Sequence, residues 1–136
     1  MVPMTEHAPV SKSKLWISYA LSGIAVLFMI FDTGIKIMRE SHAVEGTIQL
    51  GYPDSSVVTI GIIEAICLVL YLIPRTSVFG MVLMTGYLGG AVATHVRLGN
   101  PLFSHILFSV YIAILLWGGL YLREQRLREL IPFRKN

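Results

Sequence analysis

Four long apolar runs dominate the chain, over residues 15–38, 57–73, 78–96 and 102–122. None shows the strict polar–apolar alternation of a membrane barrel strand. A membrane-spanning helix needs roughly 17 to 25 mostly apolar residues, and each run meets that length. Lipid offers backbone groups no partner outside a helix or a closed barrel, so each run is predicted to be a transmembrane helix. Turn chemistry separates them. Gly51-Tyr52-Pro53-Asp54 precedes the second run, Gly99-Asn100-Pro101 precedes the fourth, and Pro132 follows it. Pro74-Arg75-Thr76-Ser77 is so short a link that the second and third helices should form an antiparallel hairpin. The one long connection, residues 39–54, is polar and has room for some structure of its own. The predicted fold is all-α: an integral membrane bundle of four transmembrane helices over 15–122. A polar tail over 1–14 precedes it, and a basic interfacial tail over 123–136 follows.

Composition sharpens this picture. Of the 136 residues 54% are hydrophobic and only 14% charged, against about 25% charged in an ordinary soluble domain. Mean hydropathy is +0.68. The first run is longer than a signal-peptide core of about 7 to 15 residues and lacks a small-residue cleavage site, so it reads as a retained anchor. An even number of spans puts both termini on one side. That side carries eight of the Lys and Arg residues and the other side three, which predicts both termini in the cytoplasm. A pI near 9.2 needs no nucleic acid to explain it. The arginines after residue 122 suit anionic lipid head groups, with Leu127, Leu130 and Ile131 spaced for a short interfacial helix.

The apolar runs also hold ionisable residues, which lipid tolerates only at a cost and usually for a purpose. At about 1.5 Å per residue, Asp32 lies ~25 Å from the cytoplasmic start of the first helix, and Lys36 one turn further out. Glu64 is the deepest carboxyl, on the second helix. His95 and Arg97 end the third, and His105 begins the fourth. All fall in the outer half of the predicted bundle; the inner half offers no comparable set. Three readings compete for this layer: an ion-pair network that fixes helix register, a ligand pocket open to the outer side, and a haem or metal site using His95 and His105. Burial disfavours the charged form of a carboxyl. An unpaired Glu64 would thus suit a general acid, and a paired one an ionised structural role.

Gly86 and Gly90 on the third helix, and Gly61 and Ala65 on the second, have the small-xxx-small spacing that lets helices approach closely. Such packing should bring His95 near Glu64. Tyr52, Tyr87, Tyr111 and Trp117 are candidates to line a cavity. Cys67 is the only cysteine, which excludes thiol–disulfide exchange within the chain. Phosphate-binding glycine loops, nucleophile elbows and zinc motifs are absent.

The run from Gly86 to Arg97, GYLGGAVATHVR, resembles the signature of the DoxX-like family of small bacterial membrane proteins. Gly34-Ile35-Lys36-Ile37, Gly51-Tyr52-Pro53, Gly61-Ile62-Ile63-Glu64 and Leu72-Ile73-Pro74-Arg75-Thr76 resemble other parts of its pattern. So does the stretch from Trp117 to Arg123, followed by Leu127-Arg128. The resemblance spans about residues 16–132. It implies a four-helix bundle in the bacterial inner membrane and, through the subunits that name the family, a quinone-linked redox role. Lys36, Glu64, His95 and Arg97 match its motifs; Asp32 is less clearly part of them.

The expected function is a multi-pass membrane protein that binds a small lipophilic, quinone-like molecule in its outer polar layer as accessory to a redox system. Glu64, His95 and Asp32 are the candidate catalytic residues. Lys36, Arg97, Tyr87 and His105 are the candidate ligand-binding residues, and no residue is assigned to a metal. The alternatives are a cofactor-free acid–base enzyme of the isomerase type and a structural or assembly subunit. Expected partners are the bilayer, the lipophilic ligand, and a second copy or a redox subunit, but no nucleic acid.

Overall fold

The computed structural model describes residues 10–134. Most of the tail expected over 1–14, and the last two residues of the tail expected over 123–136, lie outside the described residues. Every regular element among the described residues is helical. Helix α1 (Lys12–Ile37) starts where the Ser11 side chain accepts the backbone N–H of Lys14 at 3.3 Å, an N-cap that satisfies one orphan donor. After Arg39, which takes a positive φ of 54°, the short helix α2 (Ser41–Gln49) occupies the long connection. The Glu40 carboxylate caps α2 by accepting the N–H groups of His42 and Ala43. Helices α3 (Ser56–Leu72), α4 (Ser77–Arg97), α5 (Phe108–Arg123) and α6 (Gln125–Leu130) follow, with one π-helical turn, Leu102–Ile106, leading into α5.

Three helical stretches are long and apolar enough to cross a bilayer: Lys12–Ile37, Ser77–Arg97 and Leu102–Arg123. Ser56–Leu72 is apolar but shorter, at 17 residues. The fourth predicted helix is not regular throughout. The N–H groups of Ile106 and Leu107 reach back five residues, to the carbonyls of Pro101 and Leu102, and open the first turn before α5 begins.

The interior mixes large apolar residues such as Met29, Tyr71, Met81, Met84 and Leu116 with small and polar ones, and large apolar side chains also cover the outside. On α1 the buried positions are Ser18, Ser22, Ala25, Met29 and Thr33, the spacing of one helix face. Its exposed positions include Trp16, Leu27 and Phe31. Water would penalise so continuous an apolar surface, whereas lipid favours it and leaves close packing and hydrogen bonds to hold helices together.

α1 packs on α3 and α5, and α4 packs on the same two helices. The α3–α4 link is an antiparallel hairpin, as its length predicted. Ser77 Oγ donates to the Tyr71 carbonyl at 2.7 Å and Thr76 Oγ1 to that of Leu70 at 2.7 Å, so side chains satisfy carbonyls that the end of α3 leaves open. A Cβ at Gly80 would strike the backbone of Leu70 and Tyr71, which is why this hairpin needs glycine there.

The glycines divide differently from their sequence spacing. A Cβ at Gly61 would press Lys36 and Ile37, and one at Gly119 would strike Ser22 and Ser18. These are close helix approaches. At Gly86 and Gly90 a Cβ would meet nothing within 4 Å among the described residues; this pair lines the cavity instead of making a close helix approach.

Candidate functional site

α1 and α3 come closest at Gly61, where a Cβ would lie only 2.8 Å from that of Lys36. One turn along α3, this approach carries Glu64 to the Lys36 ammonium. Lys36 Nζ donates to Glu64 Oε2 at 2.8 Å, to Tyr87 Oη at 2.9 Å, and to Asp32 Oδ2 one turn back on its own helix. Tyr87 passes its own hydroxyl proton to Glu64 Oε2 at 2.9 Å. Three helices therefore meet through one ammonium whose three protons are all committed. Glu64 is fully buried, and among the described residues its Oε1 has no hydrogen-bond partner. The acceptors of the Asp32–Lys36–Glu64–Tyr87 cluster thus outnumber its donors. Thr33 Oγ1 is also unpartnered among the described residues, but it lies outside the cavity lining.

Asp32, Lys36 and Tyr87 line a cavity of about 710 Å³, inside the ~300 to 1,000 Å³ range of small-molecule sites. Its walls are mainly apolar and include Phe28, Met29, Ile63, Phe108 and Ile112, and α2 covers one side of it. Glu64 stands behind the wall rather than in it.

A second polar group faces the same cavity. His95 Nδ1 lies 2.7 Å from Asn100 Nδ2, and His105 Nδ1 lies 2.7 Å from Ser104 Oγ. The two rings meet edge to face with centroids 5.8 Å apart. The π-helical turn is what carries His105 to His95, and such turns recur at functional sites. His95 and Glu64 belong to different networks: Glu64 pairs with Lys36 and Tyr87, and His95 with Asn100.

Arg97 stands apart from the cavity wall. It donates to the Leu50 carbonyl at 2.7 Å and lies over Gly51, so it ties the end of α2 to the end of α4. Tyr52 supports the same junction through Thr94 Oγ1 at 3.0 Å. Tyr52 lines the cavity with Tyr87, while Tyr111 donates to the Phe103 carbonyl and Trp117 to Thr85.

His42, Thr94 and Asn100 also line the cavity and were missed in the sequence. Asn100 stood in a turn signal, and His42 in a connection with no assigned structure. His42 Nδ1 pairs with Glu40 Oε1 at 2.9 Å. That hydrogen bond holds the Glu40 carboxyl below its usual range and the His42 imidazole above its own.

The expectation that the terminal end of the helices holds no comparable polar set is not met. Arg123 Nη1 donates to Ser22 Oγ at 2.7 Å and Ser18 Oγ at 3.0 Å, and Nη2 donates to Tyr71 Oη at 3.2 Å. Ser18 donates on to the Gly119 carbonyl and Tyr71 to that of Leu116. The guanidinium also lies over the rings of Tyr19 and Tyr71, 5.5 and 5.6 Å from their centroids. Ser18 and Ser22, four apart on α1, were the available signal, but serine on an apolar helix reads as a packing residue.

Among the described residues, no group of three or more His, Cys, Asp or Glu is placed to hold a metal ion. The family model for the DoxX-like family matches residues 20–119, which hold the Lys36 cluster and the residues that line the cavity, while Ser18 and Arg123 of the other cluster lie outside the match. The chain belongs to the DoxX-like family. No curated protein and no solved structure matches it. With its apolar helices, this DoxX-like protein is a membrane protein.

Proposed function

We propose that this DoxX-like protein binds a small lipophilic molecule with a quinone-like head in the cavity beside Lys36, as accessory to a redox system. The observation that carries the reading is an apolar-walled cavity of about 710 Å³ with Asp32, Lys36 and Tyr87 at one side and His95 and His105 at another. That is the composition of a small-molecule site: apolar walls with a few placed polar groups. In this reading Asp32 and the two histidines touch the ligand. Lys36, Glu64 and Tyr87 position Asp32 and keep the polar wall in register.

The same reading makes the chain a four-span protein of the bacterial cytoplasmic membrane with both termini in the cytoplasm. Ser56–Leu72 would be the shortest span, ~25 Å long by helix rise. The basic excess on the terminal side supports that orientation. The cavity then opens toward the outer side, with α2 as its cover.

One observation favours a second reading. Asp32 and His95 line the same cavity, and a carboxylate and an imidazole facing one bound molecule could move a proton between two of its carbons. That would be a cofactor-free isomerase.

Native mass spectrometry with an ultraviolet–visible spectrum of gently purified protein tests the first reading. Wild type should carry a lipophile or chromophore that Glu64→Gln holds less well. An empty wild type that no quinone stabilises against heat would remove the ligand reading and leave the Lys36 cluster as a structural network.

A further inference from the structure

We infer that the cavity selects a neutral ligand whose head donates a hydrogen bond, a ring hydroxyl as in a hydroquinone, over the corresponding carbonyl compound. This rests on the proposal that the cavity binds a lipophilic ring.

The inference follows from counting donors. Lys36 spends its three protons on Asp32, Glu64 and Tyr87, and Tyr87 spends its one on Glu64. Nothing in the cluster remains to donate to a bound carbonyl. Acceptors remain. Among the described residues, Asp32 is paired through Oδ2 alone, and its side chain is 26% exposed and lines the cavity. Glu64 Oε1, behind it, is buried and has no partner among those residues. With both carboxylates and the ammonium ionised, the cluster carries one net negative charge. A carbonyl oxygen set against it meets acceptor against acceptor, whereas a hydroxyl satisfies a carboxylate that is otherwise left facing apolar walls.

The apolar walls decide between a hydroxyl and an ammonium. A ligand cation must shed its hydration to enter a cavity with mainly apolar walls and gives up a large solvation energy. A neutral hydroxyl gives up far less. The histidine side completes the match. With Nδ1 taken by the Asn100 amide, His95 keeps Nε2, which donates or accepts according to the tautomer, and a hydroxyl can pair with either form. A ring hydroxyl both donates and accepts, so a hydroquinone can serve Asp32 with one function and His95 with the other. A quinone carbonyl can pair with the histidine side but has no proton to offer Asp32.

The test compares three short-chain compounds on the same ring: a benzoquinone, its hydroquinone kept reduced without oxygen, and its dimethyl ether, which accepts but cannot donate. Binding to detergent-purified wild type is read by calorimetry and by thermal shift. The hydroquinone should bind at least about tenfold more tightly than either other compound, the size of one charge-assisted hydrogen bond. Asp32→Asn should reduce that ratio to about twofold or less, because an amide can serve donor and acceptor alike. Quinone or ether binding as tightly as hydroquinone in wild type overturns the inference and leaves the pocket reading in place. An Asp32→Asn variant that binds and keeps the full preference also overturns it. If none of the three binds folded wild type, both the inference and the pocket reading fall. The wild-type comparison stands even if the variant does not fold.

Discussion

Two polar clusters sit within the same set of apolar helices, and they differ in how completely they are satisfied. Around Arg123, the protons of Ser18, Ser22 and Tyr71 all have acceptors. Ser18 and Tyr71 end on backbone carbonyls, and since Tyr71 gives its proton to Leu116, Ser22 donates to Tyr71 at 2.8 Å. None of these side chains lines the cavity. Around Lys36 the protons of Lys36 and Tyr87 are used up while a buried glutamate oxygen has no partner among the described residues, and the cluster fronts the cavity. A saturated network holds helices together. An unsaturated one beside a cavity has capacity left for a ligand, which is why the proposed function is put at Lys36 rather than at Arg123.

The sharpest way to break this comparison is to remove each cation. Lys36→Met leaves Glu64 buried beside Asp32 without its counter-ion, and the loss should be about 3 to 5 kcal/mol. Adding Glu64→Gln should recover much of it. Arg123→Met leaves neutral hydroxyls that can pair with one another, so the loss should be smaller, about 1 to 3 kcal/mol. Denaturant unfolding in detergent gives both values. An Arg123 variant as costly as the Lys36 variant would mean that the two clusters do not differ in kind.

Glycine substitutions probe the two regions next. Gly119→Ala forces a methyl group onto Ser22 and Ser18 and should cost about 1 to 3 kcal/mol. Gly90→Ala meets open space and should change stability by less than about 1 kcal/mol, toward stabilisation, since alanine is the better helix former. A large loss of stability at Gly90 would show that this face is packed against a partner.

The two buried-network tyrosines separate binding from stability. Tyr71→Phe removes one hydroxyl from the Arg123 cluster and should cost about 1 to 2 kcal/mol, with ligand affinity unchanged. Tyr87→Phe takes a donor from Glu64 at the cavity wall and should weaken both stability and binding. Equal binding losses in the two variants would dissolve the distinction.

The smallest effect concerns α2, the cover of the cavity. The Glu40 carboxyl is lowered by its hydrogen bond with His42, so its contribution is present above the ordinary carboxylate pKa and fades as pH falls through the lowered value. His42 is raised by Glu40, so its contribution is complete below the ordinary imidazole pKa and fades as pH rises through the raised value. Amide protection in α2 should therefore peak between roughly pH 4.5 and 6.5. Protection that is flat with pH would show that the pair does not hold the cover.

Much of the fold was legible in the sequence because lipid imposes simple constraints on it. Apolar runs of spanning length, a proline-containing link and the Gly51 turn place the helices with no knowledge of their contacts. The site was partly legible. Asp32 and Lys36 stand one turn apart, and a glutamate within an apolar run demands a partner. Their partnership with Tyr87 was not legible, because it depends on how far Gly61 lets α3 slide against α1. The part played by glycine was legible at Gly61, whose spacing with Ala65 matches a close approach to Lys36, but not elsewhere. Gly86 and Gly90 have the spacing of a packing motif but border open space, while Gly80 and Gly119 have no special spacing and make the tight contacts. Spacing reports which residues share a helix face, not what that face meets.

The sequence by itself determined an all-helical chain suited to lipid and the short list of ionisable residues it would have to accommodate. Both follow from local composition, because the transfer cost of each group between water and lipid belongs to that group. Only the tertiary structure decided which of those residues share protons, which face the cavity and which, like Arg97, merely tie elements together. Hydrogen bonds act within about 3 Å. Helix register and rotation, set by the packing of whole faces, determine which groups come within that distance.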